Sequence, residues 1–264
     1  MRAGSRSLRL VMIPCQRGRG HVVDLDVRGM STGIVLIASA VVALLVVIAV
    51  LALRVRLVHR QRARYAAHWR DGNSLQADPD AVYLVTLGDS IMQGIGASKP
   101  SKGLAGLAAT HIRQRTGREV YLKNLSSTGA QVADVLRDQL PHAPLDQADI
   151  VLVCVSANDA VKRVPLAEYR QQLDELLSQL PATKTVIADV ALVKAHPIYQ
   201  PIMQELADSY GIRRARVMQA FAGSGNPLKV VAGDFFHPNN RGYTLWFSAF
   251  VPQLDECLTE LKRT

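Results

Sequence analysis

From Ile34 to Leu53 the chain is an unbroken run of apolar or small residues. From residue 82 onward apolar positions come in short bursts separated by helical periodicities. The first run has about 20 residues, enough at 1.5 Å per residue to cross a hydrocarbon core of roughly 30 Å, so residues 34–53 read as one transmembrane helix. A buried core helix is one alternative, and the arginines crowding the C-terminal end with no polar face in the run argue against it. A cleaved signal peptide is the other. Val50-Leu51-Ala52 is a passable cleavage site, but the run exceeds the usual apolar stretch of roughly 7–15 residues. Residues 1–33 form a basic tail, without apolar periodicity over 1–29, where disorder is expected. Residues 54–80 read as a basic juxtamembrane helix and a polar linker, Asp71-Gly72-Asn73-Ser74, closed by Asp78-Pro79-Asp80 before a domain over 81–264.

The pattern beyond residue 81 alternates strands and helices. Residues 82–87 are apolar on both faces, as in a buried parallel strand. A helix follows over Leu104–Arg115, stopped at Thr116-Gly117, then a strand over Glu119–Leu125 and a helix over Val132–Leu140 broken by Pro141 and Pro144. Next come a strand over Ile150–Val155, a helix opened by Pro165 and running through Leu180, and a strand over Thr185–Val190. A helix over Pro197–Tyr210, a short strand over Ile212–Val217 and one last helix over Gly242–Lys262 complete the chain. This order predicts an α/β fold with a parallel sheet, and functional groups outside the carboxyl ends of its strands.

Charge changes the picture in one respect. The formal net charge is +9, and all of the excess lies in residues 1–74, which hold twelve arginines and no lysine against Asp24, Asp26 and Asp71. The remainder is balanced and offers nothing to a polyanion, so nucleic acid is not expected as a partner. Arg54, Arg56, Arg60, Arg62 and Arg64 directly follow the apolar run, which by local count puts the C-terminal side in the cytoplasm. Arg2, Arg6, Arg9, Arg17 and Arg19 pull the other way, and Met30 is an alternative start that would remove them. Cys15, Cys154 and Cys257 are odd in number and far apart, so they form neither a disulfide framework nor a zinc site.

Candidate chemistry begins where the first strand ends. Leu84-Val85-Thr86-Leu87-Gly88-Asp89-Ser90 places a serine just past the top of the sheet, and a serine needs a base and oxyanion donors to act as a nucleophile. Gly129 and Asn158 also follow predicted strands and can share that rim. Gly88-Asp89-Ser90 with Gly94, then Asn124-Leu125-Ser126-Ser127-Thr128-Gly129, then Ala157-Asn158-Asp159, then Asp234-Phe235-Phe236-His237-Pro238-Asn239 together resemble the SGNH (GDSL-type) hydrolases. The resemblance spans roughly residues 82–262. It implies a three-layer flavodoxin-like fold, Ser90 as nucleophile, His237 as general base and Asp234 as its orienting acid. It also implies an oxyanion hole from the Ser90 N–H, the Gly129 N–H and the Asn158 side-chain amide, with no metal or organic cofactor. Two positions depart from the family pattern. Ser156 stands where the third block usually begins with Gly, which predicts a slightly tighter turn, and Ile91 replaces the Leu of the first. The Gly-x-Ser-x-Gly elbow of the α/β-hydrolases is absent.

The resemblance and the anchor together imply a single-pass enzyme of a bacterial inner or plasma membrane. It would cleave carboxylic esters through an acyl-enzyme, with short-chain acyl or O-acetyl groups on small-molecule, sugar or cell-envelope substrates. A thioesterase or acyltransferase using the same residues is an alternative, as is a non-catalytic binding module on this scaffold. Asp159 is expected to hold the loop that aims Asn158, and His111, His142 and His196 to be surface side chains.

Overall fold

A computed structural model describes residues 32–191, 196–222 and 225–261. The tail over residues 1–31, with Cys15, Met30 and the five distal arginines, lies outside the described residues.

Helix α1 (Thr32–Asn73) covers both the apolar run and the arginine-rich stretch. Its residues up to Val50 and those from Leu51 onward belong to different compact units. In the first unit the apolar side chains are exposed, and this is one helix long and apolar enough to cross a membrane.

The second unit is built on strands β1 (Val82–Gly88), β2 (Val120–Asn124), β3 (Ile150–Cys154), β4 (Thr185–Ala188) and β5 (Arg213–Ala215). All pair in parallel in the order β2-β1-β3-β4-β5. That order reverses direction between β1 and β3, where doubly wound sheets open a crevice for ligands. Successive strand residues point to opposite faces. Val82, Leu84, Ile150, Leu152 and Val186 therefore build one core, and Val85, Leu87, Val151, Val153 and Ile187 the other.

After β1 come α2 (Ser90–Gln93) and α3 (Leu104–Thr116), the latter ended by Gly117 at φ +71°. The segment after β2 departs from the regular helix expected over 132–140. It starts as α4 (Val132–Asp134), widens into a π-helical turn over Val135–Gln139 and closes in a 3₁₀ turn over Leu140–His142. The widened turn carries Gln139 to β1, where its side-chain amide accepts from Gly88 N and donates to Gly88 O, both at 2.8 Å. Helices α5 (Ala157–Lys162) and α6 (Leu166–Ser178) follow β3, α7 (His196–Ser209) follows β4, and α8 (Val217–Ala222) follows β5. The last expected helix is two: α9 (Asn240–Ser248) and α10 (Val251–Leu261). Pro252 has no N–H to donate to Ser248 O and its ring would clash with that carbonyl, so α9 stops and α10 starts with the proline in its first turn.

The domain begins earlier than the expected residue 81. Val58, Tyr65 and Trp69 of α1 are buried in the same core as Leu104, Ile112 and Tyr243, so the stretch expected as a juxtamembrane helix packs into the domain.

Candidate active site

Ser90 is the first residue of α2, reached through a glycine that the fold requires. Gly88 has φ +140°, and a Cβ there would stand 1.9 Å from Cys154 O, so any side chain would push β1 away from β3. The Asp89 N–H then donates to that same Cys154 carbonyl at 3.0 Å. The Asp89 side chain caps α2, accepting from Ile91 N at 2.9 Å. Asp89 is fully enclosed, and burial pushes its carboxyl up to about 7 despite the Ile91 hydrogen bond.

The loop between Val231 and Pro238, closed by an antiparallel bridge between those two residues, brings the other titratable groups to the serine. His237 Nε2 lies 2.9 Å from Ser90 Oγ, and its Nδ1 lies 2.6 Å from Asp234 Oδ2. The turn is held locally, because Asp234 Oδ1 accepts from Phe236 N and His237 N, both at 3.1 Å. Burial would raise the Asp234 carboxyl, but the hydrogen bonds and charge of His237 outweigh it and hold the group at about 2. Ser90 and His237 are only 5 % and 4 % exposed. Asn239 secures the loop's exit, donating to Lys229 O and Val231 O and capping α9 through Arg241 N and Gly242 N. Phe235 takes φ +58°, a conformation costing a bulky residue of order 1–3 kcal/mol. The Phe236 ring stands edge-on to the His237 imidazole at 5.0 Å.

Gly129, beyond β2, has φ +87° and open space where a Cβ would stand. Neither its N–H nor that of Ser90 has an acceptor among the described residues. Asn158, in α5, is differently placed from the free donor that its expected role implies. Its Nδ2 donates to Ala130 O at 3.0 Å and to Asp89 Oδ2 at 3.2 Å, which uses both amide hydrogens. Ser156, just before α5, keeps the glycine-like backbone with φ +90°, and its buried Oγ accepts from Tyr169 OH at 2.9 Å. The departure from glycine therefore keeps the left-handed backbone and adds a hydrogen bond. Asp159 is buried and accepts from Val132 N, tying the loop of Asn158 to the helix after Gly129, and burial raises its carboxyl to about 6. His111, expected at the surface, is half-buried against Phe247 and pairs through Nε2 with Asp255 Oδ1 at 2.8 Å.

The sequence reading missed the part α1 plays. Gln61 accepts from Gly96 N at 2.8 Å and donates to Ala97 O at 3.1 Å, and Tyr65 OH donates to the same carbonyl at 2.7 Å. Trp69 Nε1 donates to Gln93 O at 2.9 Å, at the end of the helix that starts with Ser90. The Asn73 amide pairs with both the backbone N–H and C=O of Asn124. Gly96 in turn lies against the histidine, since a Cβ there would come within 3.0 Å of His237 Cβ and 2.3 Å of Pro238 O. One side of α1 therefore braces the loop after the serine and the end of β2. The signal was the spacing of Val58, Gln61, Tyr65, Trp69 and Asn73, which is helical along one face.

Residues 86–245 match the family model of the GDSL-like lipases and acylhydrolases. Among solved structures the chain is similar to TesA, with 17% identity over 66% of this chain and 99% of that one and a TM-score of 0.57. It is similar to the psychrotrophic esterase EstA from Pseudoalteromonas sp., with 17% identity over 67% and 98% and a TM-score of 0.55. It is also similar to Axe2, an acetylxylan esterase from Geobacillus stearothermophilus, with 16% identity over 66% and 94% and a TM-score of 0.50. At these identities the likeness is one of fold. No curated protein matches the chain.

Proposed function

The chain belongs to the GDSL-like lipase/acylhydrolase family and is a carboxylic ester hydrolase, and from that premise we propose that it works as a membrane-anchored serine esterase through Ser90, His237 and Asp234. The observation that carries the reading is the unbroken relay in which Ser90 Oγ, His237 and Asp234 meet at 2.9 and 2.6 Å. His237 Nε2 takes the Ser90 proton as Oγ bonds to the ester carbonyl carbon. Asp234, ionised at any pH above about 2, holds the imidazole by Nδ1 and stabilises the imidazolium. The carbonyl oxygen becomes an oxyanion facing the Ser90 and Gly129 N–H groups. Asn158 joins them by turning one amide hydrogen from Asp89 or Ala130. The tetrahedral adduct collapses, the C–O bond to the alcohol breaks, and the alcohol leaves with the proton from His237. His237 then deprotonates a water that attacks the acyl carbon, and the carboxylic acid is released from Ser90.

Residues 34–53 serve as the bilayer anchor, and the hydrolase is the unit from Leu51 onward. A small acyl group is the preferred substrate, an acetyl on a sugar or envelope polymer. Support for it comes from the acetylxylan esterase activity named for one fold neighbour and from the anchor, which holds the enzyme beside the cell envelope. The test is hydrolysis of short-chain p-nitrophenyl esters by the full chain in detergent, beside Ser90→Ala and His237→Ala, with fluorophosphonate labelling. Turnover and labelling lost together in Ser90→Ala with circular dichroism unchanged is the expected result. A folded wild-type chain that neither turns over esters nor labels would overturn the mechanism.

A further inference from the structure

Two exposed aromatic rings sit on the loop that carries the acid and the base. Phe235 and Phe236 lie between Asp234 and His237, and their residues are 53 % and 52 % exposed. Large aromatic side chains left in water beside an active site mark a surface with a partner. The structure also shows where this loop lies relative to the end of the apolar run. A Cβ on Gly233 would stand 2.9 Å from Arg54 Cβ and 3.4 Å from Arg54 O, so the backbone one residue before Asp234 rests directly on α1 at Arg54. Arg54 is the first charged residue after the run that ends at Leu53. The same stretch of helix exposes Leu57 and the arginines Arg56, Arg60, Arg62 and Arg64.

We propose that the Gly233–Phe236 loop is a bilayer-docking surface, seated in the headgroup region of the membrane that α1 enters, with Phe235 and Phe236 inserted beside the arginines of α1. The proposal rests on the reading of residues 34–53 as an anchor, because that reading puts the headgroup level at Arg54. A loop in contact with the residue at that level cannot be far from the lipid surface. Aromatic rings reach the headgroup and acyl boundary, and guanidinium groups pair with anionic headgroups there. The occupant is therefore a lipid bilayer and not a soluble protein, since the tether itself delivers it. The consequence for substrate is definite: the ester must be presented within reach of the headgroups, by an amphiphile or by a polymer held at the membrane.

Tryptophan probes in the full chain test this. Phe235→Trp, and Leu166→Trp on α6, a helix packed in the other core from α1, as comparison, are reconstituted into phosphatidylcholine vesicles containing phosphatidylglycerol, with and without brominated acyl chains. The buried Trp69 and Trp246 set the background. Vesicle flotation reads the anchor, and p-nitrophenyl acetate hydrolysis reads the esterase. The expected result is that the Phe235→Trp emission is largely quenched by brominated lipid while that of Leu166→Trp is not. Unquenched emission at position 235 in floating, active vesicles overturns the docking and leaves the esterase and its anchor standing. Equal quenching at both positions means collapse onto lipid and overturns it too. A chain that hydrolyses the ester but does not float removes the anchor and the docking together.

Discussion

The two halves of the proposed catalytic centre are held in opposite ways. The acid–base half comes from one short loop, where Asp234 grips the backbone of Phe236 and His237 and the imidazole bridges to Ser90. The oxyanion half is gathered from the ends of three strands, and one of its donors has competing acceptors, because the Asn158 amide binds Ala130 O and the Asp89 carboxylate. The Asp234–His237 pair, closed within four residues, survives small shifts of the sheet, and only its contact with Ser90 depends on β1. A donor set spread over β1, β2 and β3 depends on their register, on Asp159 tying α5 to α4, and on Asp89. In the proposed mechanism the proton-transfer geometry is complete before substrate arrives, whereas Asn158 must give up another acceptor when the oxyanion forms.

Substitutions in the two halves should separate accordingly. Ser90→Ala or His237→Ala should each lower kcat by about 10⁶-fold, and the double variant should be little worse, because the relay acts as one unit. Asp234→Asn keeps the shape but loses the charge on Nδ1, and a fall of about 10⁴-fold in kcat is expected. Asn158→Ala should cost about 10²–10³-fold in kcat with KM nearly unchanged, as steady-state kinetics would read. An equal rise in KM would mean that Asn158 binds substrate and not the oxyanion. Gln61→Ala touches neither half directly but frees Gly96 behind His237. A drop of about tenfold in kcat is expected, below the hundredfold that a 1 Å misplacement can cost.

The smallest effect concerns stability and isolates Asp89. Its carboxyl is near 3.8 when unfolded and about 7 when folded. Below pH 3.8 both states hold the proton and its contribution is fully present. Between 3.8 and about 7 only the folded state keeps the proton, so stability falls as pH rises, and the loss is complete above 7. Asp89→Asn removes this slope. Thermal melts should therefore show the variant gaining on the wild type from pH 4 to pH 7, with a residual slope left by Asp159. A difference that stays constant across that range would rule out Asp89 as the source.

The meeting of Ser90, His237 and Asp234 was legible because such chemistry restricts residue type at strand ends. Gly88 must be glycine to pass Cys154, and Asp234 and His237 three apart suffice to close a turn. The fold was legible for the same reason that the sheet is buried: β1 and β3 are apolar on both faces. What escaped was tertiary. Nothing in Ala157-Asn158-Asp159 reveals that the amide meets Asp89. The π turn exists so that Gln139 can clamp Gly88, a partner distant in sequence. The α9–α10 break was signalled by Pro252. The arginine density of residues 54–70 masked the stripe from Val58 to Asn73, so a core helix passed for a tether.

With residues 34–53 as the proposed anchor, that stripe bears on how the domain can be cut free. A protease cutting at the exposed segment between Leu75 and Asp80, the natural place to clip a stalk, would not shed an active hydrolase. It would strip Tyr65 and Trp69 from over Met92, Leu104 and Tyr243 and leave the loop behind the serine unbraced. Under the proposed anchoring, a cut that leaves the buried stripe in place must fall on the N-terminal side of Arg54.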